Sequence, residues 1–274
     1  MNIGQSLGGG ARGFSPLKGK NLFTLAEGAT HVDKFGNFRK TAFTLAEVLI
    51  TLGIIGVVVA MTLPTLIQNH KKKEIVTRLE KTYSIMNQAI NLSKANDTWG
   101  VIPLDKRGDN EALADWLETA LLPYLKVVKY CRLSNEGACA EPNGLNEKYL
   151  SFIMSDGVKM YCDNNIRIHI YVDINGNKKP NKPGEDIFYF SIASDEDYLR
   201  WRKQYDNIVG YFHPMEYAYA TDDEDQFGDH FVTTREDMIK YCSSKYTTKT
   251  FATTCALLIM HDGWQISGDY PIKL

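Results

Sequence analysis

FTLAEVLITLGIIGVVVAMTLPTLI, residues 43–67, is an apolar run with a single ionisable side chain, Glu47. A helix that crosses the hydrocarbon of a bilayer needs about 20 predominantly apolar residues, and this run supplies them. It is too long for the core of an ordinary signal peptide, and no A-x-A cleavage site follows it. The alternative, a helix buried on all sides in a soluble core, seldom runs so far without a polar face. The run is therefore expected to span a membrane. Arg39 and Lys40 precede it, and Lys71, Lys72 and Lys73 follow. The positive charge that orients membrane helices is thus nearly balanced, and it leaves open which end is cytoplasmic.

The flanks of the run differ in character. Residues 1–42 carry six Lys/Arg against Glu27 and Asp33, a balance of +4, which leaves −6 for the rest of a chain whose net charge is −2. A basic segment ahead of an apolar run is the arrangement of a targeting region. The acidic remainder suits a solvated exported domain and gives no footprint for nucleic acid, so no nucleic-acid partner is expected. Within the run, Glu47 stands out. A carboxylate among lipid tails costs several kcal/mol unless it is paired or lies near the headgroups, and an anchor does not need one.

The residues KTAFTLAEVLITLGIIGVVVAMTLP, 40–64, resemble the cleavage and methylation motif of the type IV pilin and type II secretion pseudopilin family. That family has a basic leader, a small residue, a phenylalanine that becomes the first mature residue, and a glutamate at the fifth. Ala42, Phe43 and Glu47 match in register, and Gly56 and Pro64 stand where the family tends to carry glycine and proline. Two departures are plain: the residue before the cut is usually glycine rather than alanine, and the 42-residue leader is long. The resemblance implies several expectations. A membrane prepilin peptidase cuts between Ala42 and Phe43 on the cytoplasmic face and methylates the new amine. The chain then sits in the inner (cytoplasmic) membrane by one helix, with its head extracytoplasmic. An inner-membrane assembly platform next moves it into a filament with other pilin or pseudopilin subunits, at the cell surface or in the periplasm. There Glu47 pairs with the amine of a neighbouring subunit, an arrangement that offsets desolvation only with good geometry. Gly53 and Gly56 permit close helix approach, and Pro64, which withdraws a donor from Ala60, is expected to kink or locally melt the helix.

Beyond the run, Ile75, Leu79, Met86 and Ile90 recur at helical spacing, with Tyr83 between them, and predict an amphipathic continuation over residues 68–97. Residues 98–274 then form a globular head. A second helix is predicted over Asn110–Leu125 with Asn110 as its cap and a stripe of Leu113, Trp116, Leu117, Leu121 and Tyr124. Leu150–Met154 and Val158–Cys162 flank Ser155-Asp156-Gly157 and predict a hairpin. Ile166–Val172 and Asp186–Ile192 are further strands. Ala256–Met260 and Trp264–Ser267 are expected to pair around His261-Asp262-Gly263. A short helix over Arg235–Ser244 has Thr234 as cap and Asp237 three residues on. The expected fold class is α+β: a pilin-like long helix against an antiparallel sheet.

All five cysteines follow the apolar run, on the side where disulfides persist if the run crosses a membrane. Cys131–Cys139 and Cys242–Cys255 are the tightest pairs and the candidate disulfides, with Cys162 left over; spacing alone does not fix connectivity. Asp173-Ile-Asn175-Gly176-Asn177 places oxygen ligands at alternate residues, like the opening of a calcium loop. The loop does not continue in that pattern, since the twelfth residue is Gly184. Asp173, Asn175, Asn177 and Asp186 are therefore a candidate calcium site of another kind, set against a solvated Asn/Gly/Pro turn. The acidic cluster Asp222–Asp225, with Asp229 nearby, is a solvated loop or a weaker calcium candidate. Gly8, Gly10 and Gly13 satisfy G-x-G-x-x-G without a preceding strand, which rejects a nucleotide site. The six histidines show no metal-ligand spacing, and no nucleophile motif is present, so the chain is not expected to be an enzyme. FTLAE also occurs at Phe23–Glu27, followed by polar sequence that cannot enter a bilayer. Three functions compete: a structural filament subunit, a membrane-tethered or filament-tip binding module that uses the head loops, and a membrane-anchored enzyme.

Overall fold

The computed structural model describes residues 43–103, 108–132, 139, 150–164, 167–176, 178–196, 198–199, 210–218, 230–243 and 253–274. The chain divides into two units, Met1–Leu52 and Gly53–Leu274. Of the first, residues 43–52 are described, and they contain the start of helix α1, Leu45–Ala95. Thr44 and Glu47 set that start by a reciprocal exchange. The Glu47 carboxylate accepts from Thr44 N at 2.8 Å, and Thr44 Oγ1 accepts from Glu47 N at 3.2 Å. This is a capping box, and it satisfies two of the amide donors that a helix N-terminus leaves unpaired.

In the second unit α1 changes character along its length. Through residue 70 every position is exposed, and beyond it Ile75, Leu79, Met86, Ala89 and Ile90 are buried on one face. The periodicity over residues 68–97 thus does select the buried face. The helix stays α-helical through Pro64. Of the two expected effects, local melting does not occur, because a single missing donor is carried by the intact ladder on either side. The helix stops at Ala95, where Asp97 takes a left-handed φ of 55°, a common way for a helix to end.

That buried face belongs to one core with α2 (Asn110–Ala120) and a six-stranded antiparallel sheet. The sheet's strands β1 to β6 are Val127–Cys131, Leu150–Met154, Lys159–Asn164, Ile168–Asp173, Ile187–Ile192 and Phe212–Pro214, neighbours in chain order. Register places Phe152, Met160, Val172 and Phe188 in one row, and Leu150, Cys162, Ile170 and Phe190 in the next. Both rows face the core. The opposite face is also buried through Tyr161, His169, Asp173, Tyr189, Ser191 and His213. A separate pair, β7 (Tyr217–Ala218) and β8 (His230–Phe231), follows. The cap of α2 is Asp109, whose carboxylate accepts from Ala112 N, rather than the expected Asn110. α2 ends at Ala120, and a 3-10 turn, Leu122–Tyr124, continues it.

Edge strand β6 is met by α1. Asn87 Nδ2 donates to Phe212 O at 2.8 Å, and Asn87 Oδ1 accepts from Phe212 N at 3.1 Å. Gly210 makes this approach possible: its φ is +153°, and a Cβ there would lie 2.2 Å from Asn87 Oδ1.

Helix α3, Arg235–Tyr241, starts where expected, with Thr234 Oγ1 accepting from Asp237 N. The expected hairpin near the C-terminus is instead helix α4, Cys255–His261. Ala256–Met260 is an apolar run buried on all sides, which strand and helix accommodate equally well. Gly263, at φ +74°, donates its N–H to Met260 O and closes the helix rather than a hairpin. Arg235 ties α3 to this end, bidentate to Asp262 at 2.7 and 2.8 Å and also bonded to Asp269 at 2.8 and 2.9 Å. The guanidinium holds both carboxyls below the usual carboxylate range. A carboxyl whose folded pKa is depressed contributes stability above its unfolded pKa and loses it as pH falls. The melting temperature of the chain should therefore drop as pH is lowered from about 4. Asp262→Asn, which cannot titrate, should melt lower at neutral pH and show a shallower acid limb in pH-resolved thermal melts.

Candidate functional site

The sequence pointed to two places, the apolar helix start and the loop after β4. At the first, Ala42 lies outside the described residues. Phe43 is 83% exposed, and the large apolar side chains from Phe43 through Ile67 are exposed in turn. The helix is long and apolar enough to cross a membrane by length and composition. Gly53 and Gly56 are exposed, with nothing within 4 Å of a built Cβ, so both leave room for a neighbouring element to approach closely. The Glu47 carboxylate accepts from Thr44 N and Thr44 Oγ1 within the helix's own first turn. Thr44-x-x-Glu47 was the signal for this, and it was readable as a capping box.

At the second place the structure brings Asp173, Asn175 and Asp186 together, although eleven residues separate Asn175 from Asp186. Asp186 organises the loop. Its Oδ1 accepts from Lys182 N at 2.6 Å, and its Oδ2 accepts from Asn181 N at 2.8 Å and Asn175 Nδ2 at 3.0 Å. Asp173 Oδ1 accepts from Asn175 N at 3.1 Å. Burial pushes the Asp173 carboxyl up to about 7, with the neighbouring Asp186 charge adding to the effect and Lys159 opposing it. Asn181, which no sequence spacing connects to Asp173, enters the group because Asp186 holds its backbone; its φ of 51° marks the turn. Asn177 lies outside the described residues, as do the acidic cluster at 222–225, Asp229 and the leader glycines.

Three hydrogen bonds hold the described part of the loop within the second unit. Lys71 Nζ donates to Glu185 Oε2 at 3.2 Å, and Arg78 Nη1 donates to Ile174 O at 2.9 Å, both from α1. The Tyr270 hydroxyl donates to Gly184 O at 2.7 Å. A Cβ on Gly184 would come 2.8 Å from both Cys255 Sγ and Ile272 Cγ1, so only glycine fits there.

The two tight cysteine pairs, Cys131–Cys139 and Cys242–Cys255, are disulfides, and Cys162 is a buried free thiol. Burial raises the Cys162 thiol well above its ordinary range, the reverse of what an activated nucleophile needs. On the sheet face opposite the core, Asp163, His169, Ser191 and His213 lie in one cross-strand row. His169 Nδ1 sits 3.2 Å from Asp163 Oδ1, yet Ser191 Oγ is buried without a hydrogen-bond partner, so no base holds it as a nucleophile. Beside this row Arg167 and Glu216 form a buried ion pair, with His213 Nδ1 3.2 Å from the second Glu216 oxygen.

No curated protein and no solved structure matches the chain. Residues 65–274 match one family model, a family of unknown function (DUF6613). The match takes in the buried part of α1, the sheet, both disulfides and the Asp173–Asp186 loop, and the chain belongs to that family.

Proposed function

We propose that the chain is a pilin-like subunit, a minor pilin or pseudopilin of a type IV pilus-like or type II secretion filament, matured by prepilin peptidase. One observation carries this: the exposed apolar first part of a single helix bears a lone carboxylate at Glu47, the fifth residue counted from Phe43, in register with a small residue before Phe43. The family match begins at Thr65 and so adds no weight to these N-terminal residues; the motif is an independent support. A helix of this kind has two favourable surroundings, lipid and sister helices, and passage from one to the other is what assembly requires. The disulfides fit a head exposed to an oxidising compartment.

The test is mass spectrometry of the protein isolated from its native membrane or filament. The expected N-terminus is Phe43 carrying one N-methyl group. Recovery of a chain that still holds residues 1–42, or one found free of membrane and filament, overturns the proposal.

A further inference from the structure

We propose that the loop from Asp173 to Asp186 is a divalent-cation site suited to calcium, with Asp173, Asn175 and Asn181 as side-chain ligands and Asp186 as the residue that sets their positions. Asp173 is completely buried, and its Oδ2 has no hydrogen-bond partner. The Oδ1 atoms of Asn175 and Asn181 are buried and unpartnered as well. Buried polar oxygens are nearly always satisfied, and three orphans within one loop are a set missing its common partner. They are held close. Asn175 and Asn181 both contact Asp186 Oδ2, and Asn175 N contacts Asp173 Oδ1. The orphans are all oxygen acceptors, the donor set of a hard cation.

The loop also buries carboxylates. Asp173 and Asp186 are both buried, and the cation facing Asp173 is Lys159, its cross-strand partner, whose ammonium also lies 4.5 Å from the Tyr161 ring centroid. Glu185, the other buried acid of the loop, is paired with Lys71 and Lys182. With one carboxylate and two amides as its side-chain ligands, the site belongs with weak extracellular calcium modules, whose dissociation constants are on the order of 0.1–1 mM. The loop is bonded to α1 through Arg78 and Lys71, so occupancy stiffens the junction between sheet and helix.

The inference does not depend on the filament proposal, because it concerns binding by the chain alone. The experiment is equilibrium dialysis of radioactive calcium against the full-length protein in detergent micelles, with thermal melts in calcium and in chelator. One ion per chain is expected, with a dissociation constant on the order of 0.1–1 mM, a calcium-dependent rise in melting temperature, and weaker competition by magnesium. Asp173→Asn should weaken binding by roughly tenfold or more and flatten the calcium dependence of the melt. Asn181→Gly removes the amide oxygen while keeping a residue at ease with positive φ, and it should weaken binding in the same direction; it decides the matter if Asp173→Asn fails to fold. No uptake by the wild type at about 10 mM calcium, ten times the weakest affinity expected, overturns the proposal. Undiminished uptake by the foldable variants does so too, since the ion would then sit elsewhere.

Discussion

Glu47→Gln is expected to insert into the membrane and be cleaved like the wild type, yet to be lost from assembled filaments by more than a hundredfold. Glutamine keeps the capping box, since its amide oxygen accepts from Thr44 N as the carboxylate does. The helix start is therefore preserved, and only the charge is removed. On the proposed function that charge faces the amine of a neighbouring subunit's Phe43 in an apolar surrounding. Removing one partner of a buried pair leaves the other uncompensated, at about 3–5 kcal/mol, and each 1.4 kcal/mol is a factor of ten in association. Sedimentation of sheared filaments, with membrane-fraction blots as the insertion control, measures both. Glu47→Ala loses cap and charge together and should assemble no better. Filaments from Glu47→Gln at wild-type yield would mean that Glu47 serves only its own helix turn, and the pairing account would fail.

Phe190→Ala should be the most destabilising single truncation in the head. Phe190 lies on β5, next to edge strand β6, and is fully buried, with its ring stacked on Phe212 at 4.5 Å between centroids. Both faces of β5 are buried, so no solvent-facing side can relax into the space left behind. Truncating a buried phenylalanine costs about 3–5 kcal/mol. For a domain of this size that lowers the melting temperature by roughly 6–20 °C. Urea and thermal unfolding followed by tryptophan fluorescence check it. Phe190→Leu, which keeps most of the volume, should recover more than half of the loss.

Periodicity carried the long elements. Ile75, Leu79, Met86 and Ile90 were enough to choose the face of α1, because a helix packed on a sheet repeats its contact every three or four residues. The turn Ser155-Asp156-Gly157 was readable because Gly157 takes a positive φ, 86°, in a short loop between alternating strands. Where a segment is buried on all sides there is no period to read, and Ala256–Met260 reads as a strand no less well than as the helix it forms. β6 is not legible in the sequence, because it is only three residues long and ends in a proline. As an edge strand it tolerates the missing donor. In the loop after β4, Asp173, Asn175 and Asp186 are visible in the sequence as a pattern of oxygen-bearing side chains. Asn181 is not, because it joins them only through the bonds Asp186 makes to the backbone of residues 181 and 182. Glu47 shows the opposite case: resemblance supplied a role toward a neighbour, and the local geometry added a second role that the letters T-x-x-E already contained.

The contact between Asn87 and Phe212 also shields one margin of the sheet. A bare margin of a sheet invites any extended peptide to zip alongside it, and here the two outward-pointing backbone groups of Phe212 are already occupied by an amide lent from the helix. Growth by ribbon extension at that margin is blocked at the first residue of β6.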